Sequence, residues 1–493
     1  CCLFLIVSTR TIFSQGAVVR PRTVVTTDGE VDDQDSFMRL LLYSNELKID
    51  GLVYTSSQWH YKGDGKGTKF TSEMPMTKKM YGERTELRWI GTEWMQSLID
   101  KYAKVYSNLL KHDRNFPTPQ YLKSVIRVGN IDFEGEMDRD TPGSDLIKKI
   151  LLDEGREPVY LQMWGGTNTV ARALKSIEDT YKRTNRWQSI YKKVSQKAVL
   201  YIILDQDAAY KKYVESNWPD IKVLYNSSQF WSFAYFWSRA VPQELQIYFK
   251  GTWMADHIKF NHGPLLSSYF VWGDGQKVNG DPDDTPGDTA QARKNGFDQF
   301  DFSSEGDSPS FFYLINTGLR NLEDASYGGW GGRMVRSSTN LQKWEDGTNV
   351  TDYNPYTKKN DISYPQTRWV EALQNDFAAR ADWCVNNYSK ANHSPIVKLN
   401  HAANISGKPG SLIKLSASAH DPDRNDVSYH WWEYEEADTY AGKIEIQNSQ
   451  SNDASFTVPS DAKTGDTIHI IVQVKDAGTP PLTRYQRVIV TVK

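Results

Sequence analysis

The chain has few cysteines, no strong excess of charge of either sign, and no apolar run long enough to cross a membrane. Only three cysteines occur in 493 residues, and two of them are the first two residues. With 58 basic and 61 acidic side chains, the net charge is −3. A balance this even gives no support to binding of nucleic acid or of an anionic membrane surface. No segment after the first residues is apolar over the ~20 positions that a spanning helix needs.

The first residues, CCLFLIVSTRTIFSQGA, resemble the second half of a secretory signal peptide. A short apolar run comes first, and small and polar residues follow it through Ala17. The alternative is an ordinary buried first strand. We expect residues 1–17 to be a leader remnant and the protein to be secreted or periplasmic. Cys384 is then the only cysteine left, which excludes an intrachain disulfide and a thiolate zinc site.

Residues 18–389 are predicted to form an α/β domain, because apolar strand candidates alternate with segments of helical periodicity. The strands are predicted at residues 23–27, 49–57, 158–164, 198–204 and 221–226. The helices are predicted at residues 37–47, 144–154 (with Ser144 as the cap) and 167–181. This alternation indicates a mostly parallel sheet flanked by helices. Residues 276–304 are rich in Gly, Pro and Asp and are predicted to form a long loop, which in a compact domain is often functional.

Residues 394–493 show a different pattern, in which short alternating runs are separated by turn signals. About a hundred residues of this kind predict an all-β sandwich of immunoglobulin-like type. The boundary with the first domain is expected in the polar stretch 385–395. Neighbouring residues of a strand point to opposite faces, so Trp431 and Trp432 cannot both be exposed. Exposed aromatic residues of this region are candidates for a polysaccharide surface.

Five acidic residues lie within VVTTDGEVDDQDSF, residues 24–37, directly after the first apolar run. Asp28 ends the predicted strand, and Asp32 and Asp33 lie in the turn into a helix. Ligands of open parallel sheets bind beyond the carboxyl ends of the strands. Carboxylates that converge there are costly unless a hard cation such as calcium neutralises them. Taken alone, however, the pattern favours the alternative of a helix N-cap with solvated acids.

Two other polar features are interpreted as structural. The run DPDD, residues 281–284, could bind a second calcium ion, but a solvated loop is favoured. One of the histidines His60, His257 and His262 could protonate a leaving group. We expect them instead to be surface residues or hydrogen-bonded core residues.

Three segments resemble motifs of the nucleoside hydrolases. TTDGEVDDQDSF is similar to the family's amino-terminal signature, in which an Asp on the first strand precedes an Asp pair. QMWGGTNTVARAL (162–174) and SSEGDSPSFFYLI (303–315) resemble two later motifs. EDASYGGWGGRM (323–334) and the β-sandwich resemble the subgroup first associated with cellulose binding. The resemblance covers nearly the whole chain and implies a nucleoside hydrolase-like domain followed by the sandwich.

The resemblance also implies a metal site and a mechanism. The carboxylates of Asp28, Asp33 and Asp307 and the backbone carbonyl of Thr167 would bind calcium. Asp28 would be the general base that acts on water, and Asp32 would bind a sugar hydroxyl and steady positive charge on the ring. The implied activity is hydrolysis of an N-glycosidic or related glycosidic bond.

Departures from the parent family point to a changed substrate. The predicted substrate contacts besides Asp32 are Gln58, Asn168, Trp330 and Arg333, the last two placed at the pocket rim by a glycine-rich turn. Gln58 is a rough substitute for an Asn of the parent family, and Gly306 replaces its late His. The parent's ribose contacts have no clear equivalents in residues 225–237. A carbohydrate or nucleoside-like substrate is therefore expected, and the alternative is a non-catalytic protein that binds plant polysaccharide such as cellulose.

Overall fold

A computed structural model describes residues 20–493, so the predicted leader, residues 1–17, lies outside the described residues. The strands of the first domain are β1 (Arg22–Thr27), β2 (Lys48–Tyr54), β3 (Phe70–Thr71), β4 (Glu83–Arg84), β5 (Ile126–Val128), β6 (Val159–Met163), β7 (Ala198–Ile203), β8 (Lys222–Asn226), β9 (Val335–Arg336), β10 (Lys343–Glu345), β11 (Asp352–Asn354) and β12 (Lys359–Asp361). Eight of them form one sheet in the order β5-β2-β1-β6-β7-β8-β10-β9. Only its edge strand β9 pairs in the antiparallel direction. The predicted mostly parallel sheet is confirmed.

The helices of the first domain are α1 (Val31–Tyr43), α2 (Pro75–Tyr81), α3 (Trp94–His112), α4 (Pro119–Ser124), α5 (Pro142–Leu152), α6 (Asn168–Tyr181), α7 (Trp187–Lys197), α8 (Glu215–Asn217), α9 (Trp237–Ala240), α10 (Gly251–Met254), α11 (Gly263–Leu266), α12 (Thr289–Lys294), α13 (Ser308–Phe312), α14 (Tyr364–Thr367) and α15 (Val370–Trp383). Across residues 20–493, none of the helices combines the length and the apolar character that a bilayer crossing requires.

The sheet is buried on both faces, which explains why its strands are almost continuously apolar. Val24 and Val25 are neighbours in β1, and both are fully buried. Val24 packs in the cluster that includes Ile147 of α5 and Leu174 of α6, whereas Val25 packs with residues such as Phe37 of α1. Helices therefore cover both sides of the sheet, as the sequence pattern predicts.

Three local details differ from the sequence predictions. Helix α1 begins at Val31 rather than at residue 37, because an acidic first turn is favourable at a helix N-terminus. Helix α5 is capped by Thr141, whose hydroxyl accepts a hydrogen bond from the Ser144 N–H, so Ser144 is not the cap. The predicted loop at 276–304 contains the short helix α12.

The C-terminal region is a β-sandwich, as predicted. Its strands are β13 (Ile396–Leu399), β14 (Asn404–Gly407), β15 (Leu412–His420), β16 (Val427–Glu433), β17 (Asp453–Thr457), β18 (Thr467–Asp476) and β19 (Thr483–Val492). They form two sheets, β13-β15-β17 and β14-β19-β18-β16. Trp431 of β16 is buried between the sheets, and the next residue, Trp432, is half-buried and packs towards the first domain. The expected alternation of these two rings is confirmed.

The two domains share a continuous interface. Arg487 of β19 is fully buried, and its guanidinium donates to the backbone carbonyls of Leu319, Tyr327 and Gly328 in the first domain. It also donates to Nδ1 of His469 at 2.9 Å. Because a charged donor makes stronger hydrogen bonds than a neutral one, the arginine ties the sandwich firmly to the first domain.

Candidate functional site

The candidate site lies at the carboxyl ends of the first parallel strands. Asp28 follows β1 directly, and α1 begins soon after it at Val31. Gly29 makes this tight turn possible, because its φ of 87° lies in the left-handed region. A side chain at Gly29 would also collide with those of Ile90 and Trp94. The chain thus places the carboxylates of the first motif at one edge of the sheet.

The carboxylates predicted from the first motif are brought together and buried. One oxygen each of Asp32, Asp33 and Glu30 lie within 4.8 Å of one another, and Asp28 forms a second such group with Glu30 and His60. Glu30 belongs to both groups, although the sequence analysis did not predict it as a site residue. Asp33 accepts a hydrogen bond from the hydroxyl of Thr27. Burial, and then repulsion from Asp28 and other acids, raises the pKa of Asp33 well above its ordinary value. Burial and repulsion likewise raise the pKa of Asp32 to about 7.

Asp307 reaches the same place from the other end of the first domain. It precedes α13 and lines one cavity together with Asp32 and Asp33. Burial, and then repulsion from Asp32, Asp28 and Glu30, raises the pKa of Asp307 well above its ordinary value. Asp307 is therefore beside the cluster, although it is not one of the carboxylates whose oxygens lie within 4.8 Å of one another.

The turn before α6 lies against Asp28. A side chain at Gly165 would come within 2.8 Å of the carboxyl carbon of Asp28, so glycine is needed for this close approach. Thr167 follows in the same turn, and its backbone carbonyl accepts the first helical hydrogen bond, from the N–H of Ala171 at 2.9 Å. The hydroxyl of Thr167 is buried without a hydrogen-bond partner among the described residues.

His60 supplies positive charge to the cluster. Its Nδ1 lies 3.4 Å from an oxygen of Asp28, and its Nε2 lies 3.0 Å from an oxygen of Asp281. Arg88 donates to both oxygens of Asp281, at 2.7 and 2.8 Å. Burial alone would lower the pKa of His60, but the two acids outweigh it and raise the pKa to about 10. His60 is therefore a bonded core residue, as expected, and it is cationic at neutral pH.

A second contact joins the same loop to the cluster. The hydroxyl of Tyr235 donates to Asp284 at 2.8 Å and lies 3.5 Å from an oxygen of Asp32. Asp281, in the same short run, is only 3% exposed. The interpretation of residues 281–284 as a solvated loop is thus wrong. Asp281 contacts His60, which faces Asp28, and Asp284 accepts a hydrogen bond from Tyr235, which faces Asp32. No local pattern in the sequence reveals these pairings.

A cavity of about 240 Å³ opens beside the carboxylates. It is lined by four acids and by an unusual number of aromatic rings: Glu30, Asp32, Asp33, Asp307, Trp59, Trp164, Phe230, Trp231, Tyr235 and Phe236. Aromatic faces stack on sugar rings, and carboxylates accept hydrogen bonds from hydroxyl groups. The many aromatic residues in 225–237 could have indicated this part of the cavity wall. The sequence analysis considered only polar ribose contacts in that segment.

Gln58 and Asn168 do not reach the cavity, contrary to their predicted role. The side-chain oxygen of Gln58 accepts from the hydroxyl of Thr77 at 2.8 Å. The amide of Asn168 donates to the hydroxyl of Ser56 at 2.9 Å, and its oxygen accepts from Thr55 at 2.6 Å. Both residues are buried and already bonded, so they brace the loops at the strand ends rather than contact a substrate.

Trp330 and Arg333 also lie away from the cavity, which corrects their placement at its rim. Trp330 is 1% exposed, and the guanidinium of Arg484 in the sandwich lies 5.4 Å from its ring centroid. Arg333 is buried and donates to Asp352 at 2.9 Å. The glycine-rich turn does form, but Trp330 packs in the domain interface and Arg333 forms an ion pair with Asp352.

The acidic cluster fits a divalent cation. Neither carboxylate oxygen of Asp28 has a hydrogen-bond partner in the part of the chain that the structure describes, although both are buried. Buried carboxylates without donors are strongly destabilising unless a positive charge compensates them. Oxygen donors are the ligands that calcium prefers. His60 compensates part of the negative charge around Asp28. The carboxylates of Asp33 and Asp307 remain available to bind a cation.

Comparison with known families matches both domains. The model described as "Cellulose-binding Sde182, nucleoside hydrolase-like domain" matches residues 22–334. The model described as "Cellulose-binding protein Sde0182, C-terminal domain" matches residues 412–492. None of the curated proteins compared with the sequence matches it.

Comparison with solved structures gives a relative of the same overall length. The chain is similar to a nucleoside hydrolase-related hypothetical protein from Saccharophagus degradans, described as associated with carbohydrate metabolism. The two are 27% identical over 96% of this chain and 100% of that chain, with a TM-score of 0.70. A PKD domain of the KIAA 1837 protein matches 21% of this chain and 92% of its own at 19% identity, with a TM-score of 0.16. Mouse cadherin-23 EC22-24 matches 21% and 33% at 17% identity, also with a TM-score of 0.16, so neither carries weight.

Proposed function

Since this chain belongs to the Sde182 family of cellulose-binding proteins with a nucleoside hydrolase-like domain, we propose that its acidic cleft hydrolyses an N-glycosidic or related glycosidic bond with the help of calcium. The observation that carries the proposal is the convergence of buried carboxylates beside an aromatic-lined cavity. Asp28 adjoins this cluster without itself lining the cavity, and neither of its oxygens has a hydrogen-bond partner among the described residues. We favour a changed, carbohydrate-related substrate over a nucleoside, because residues 225–237, which supply much of the aromatic wall, have no clear equivalents of the parent family's ribose contacts.

Calcium would be held by Asp28, Asp33, Asp307 and the carbonyl of Thr167. The first three offer carboxylate oxygens, and the carbonyl of Thr167 has a second lone pair beside its helical hydrogen bond. When bound, calcium supplies positive charge that neutralises the acids and makes water a better nucleophile.

The protein's own groups supply the remaining chemistry. Burial would raise the pKa of Asp28, but the adjacent His60 outweighs it and lowers the pKa, so Asp28 is ionised and can accept a proton from water. Asp32, facing the cavity beside Tyr235, accepts a hydrogen bond from a sugar hydroxyl and stabilises positive charge on the ring. The rings of Trp59 and Trp231 flank the bound sugar and exclude water.

A second candidate is sugar binding without turnover. The contact between Asp28 and the cationic His60 favours it, because an acid already paired with a cation is a weaker base. In that case the cleft and the sandwich would serve to bind plant polysaccharide such as cellulose.

Activity measurements separate the two candidates. Hydrolysis of a nitrophenyl riboside and of a panel of nucleosides and nitrophenyl glycosides is measured with the wild-type protein, in calcium and in EDTA. Asp28→Asn should abolish hydrolysis, whereas Asp145→Asn, a change at an exposed position of α5, should leave it intact. No hydrolysis of any compound, by a protein whose thermal unfolding still shifts on calcium addition, would leave binding as the function.

A further inference from the structure

A second cavity, of about 210 Å³, lies between the two domains and is separate from the acidic cleft. One wall comes from α14 and α15 of the first domain, with Tyr364 and Glu371. The opposite wall comes from the sandwich strands β16, β18 and β19, with Trp432, Gln473 and Thr483. No residue of this groove lines the first cavity.

An aromatic ring forms the sandwich wall of this groove. Trp432 is half-buried, and the guanidinium of Arg368 lies 4.8 Å from its ring centroid. Trp369 of the first domain packs at a centroid distance of 6.1 Å from the same ring. The first domain therefore holds the ring in a fixed orientation, with the guanidinium of Arg368 over one face, while the rest of this half-buried side chain remains partly accessible. A rigid aromatic surface binds at little cost in conformational entropy.

Unused hydrogen-bonding groups surround the ring. The side chain of Gln473 is half-buried and makes no hydrogen bond within residues 20–493, so its amide is available to a ligand. The hydroxyl of Thr483, a residue that is 5% exposed, lines the groove and is likewise not hydrogen-bonded to a described residue. Glu371 and Lys475 face each other across the groove, with their charged atoms 2.5 Å apart. Together these groups offer both donors and acceptors around an apolar face. This arrangement is complementary to a sugar ring, which has an apolar face and hydroxyl groups at its edge.

The charges of the groove argue for a neutral ligand. Lys475 is paired with Glu371, and Arg368 is paired with Asp352 at 2.9 Å. The third basic residue of the groove, His430, has its pKa lowered by burial. Among the described residues that line the groove, no cation is thus left over to bind a phosphate or a carboxylate, and no acid is left over to bind an amine. A ligand rich in hydroxyl groups satisfies the free donors and acceptors without placing an unpaired charge in the groove.

We propose that this groove between the domains is a carbohydrate-binding site that takes a glucose unit of a β-linked glucan chain, stacked on Trp432. The choice of glucan rests on the proposed carbohydrate function and on the cellulose-binding family, whereas the position of the site rests on the groove itself. Because its walls come from both domains, the site exists only while they are docked.

The proposal is tested on the full chain with two probes. Soluble cello-oligosaccharides are titrated by calorimetry, and microcrystalline cellulose is used in a depletion assay. Trp432→Ala should weaken binding of the oligosaccharides by about tenfold or more. Gln473→Ala should weaken it by a smaller factor, and Trp432→Phe should restore part of the loss. Phe260→Ala, at a ring that is 41% exposed and lies outside the groove, is the matched control and should change nothing.

Further measurements make the outcomes decisive. Thermal unfolding shows whether each variant is folded. If Trp432→Ala does not fold, Gln473→Ala still tests the site. Retained affinity in Trp432→Ala and Gln473→Ala, with loss in Trp59→Ala, would place the sugar in the acidic cleft and overturn the proposal. So would a wild-type protein that hydrolyses glycosides but binds neither probe. Binding that depends on Trp432 in a protein without hydrolytic activity would support the groove and reject only the proposed catalysis.

Discussion

Replacing Asp32 by Asn tests whether the buried acids destabilise the protein when no cation is bound. Burial, with repulsion from Asp284 and Asp28, raises the pKa of Asp32 from 3.8 to about 7. One pKa unit corresponds to about 1.4 kcal/mol, so at pH 7 the shift lowers the free energy of unfolding by up to about 4 kcal/mol. Asn has the same size and removes the charge. In EDTA at pH 7 we therefore expect Asp32→Asn to be more stable than the wild-type protein.

The gain should depend on pH and on calcium. Because the folded-state pKa of Asp32 is raised, the wild-type protein loses stability as the pH rises from 3.8 through 7. The advantage of the variant should be absent below pH 3.8 and fully developed above pH 7. Calcium should reduce it, since the cation compensates the same negative charge in the wild-type protein.

Urea unfolding followed by tryptophan fluorescence measures these differences. The midpoints of wild type and Asp32→Asn are compared in EDTA and in calcium, at neutral and at acidic pH. Glu445→Gln, which removes an acid from an exposed loop position with no ion pair among the described residues, serves as the control and should show no shift. A variant that is less stable than the wild-type protein in EDTA, or a gain that is equal at both pH values, would refute the reasoning.

The remaining predictions concern the domain interface and the cleft. Arg487→Met leaves buried carbonyls unpaired and should lower the free energy of unfolding by about 3–5 kcal/mol in a denaturant titration, while the exposed Arg424→Met should not. Burial, with Arg487 nearby, lowers the pKa of His469 to about 3, so stability should fall as the pH drops below 6.5, and His469→Gln should flatten that dependence in thermal scans. Asp281→Asn should lower the pKa of His60 by about one unit or more. The pKa is measured by NMR of the imidazole ring, and an unchanged value would contradict the assigned contact.

Much of the fold could be predicted because its signals are local. The β-branched run at residues 23–27 predicts a buried strand that ends directly before Asp28. Alternating apolar segments likewise predict the order of strands and helices. Even the failures at helix ends are local: α1 starts at Val31 because Asp32 and Asp33 are favourable in the first turn of a helix.

The rest of the site could not be predicted, because it depends on pairs far apart in the chain. His60 and Asp281 are separated by 221 positions, and Asp32 and Tyr235 by 203. No period or motif relates such residues, so a loop that looks solvated can supply acids that pair with residues of the site. The same limit explains Arg333, whose position is decided by Asp352 and not by the glycine-rich turn that carries it.

The pH dependence of hydrolysis identifies which acid accepts the proton. His60 lowers the pKa of Asp28, whereas burial and repulsion raise that of Asp32 to about 7. With Asp28 as the base, the rate should stay level as the pH falls from 7, because Asp28 remains ionised. A rate that falls about tenfold per pH unit would instead show that Asp32 must be ionised, either as the base or to stabilise positive charge on the ring. His60→Asn distinguishes the two acids, because removing the cation should raise the pKa of Asp28. The acid limb of the pH–rate profile should then move to higher pH only if Asp28 is the base.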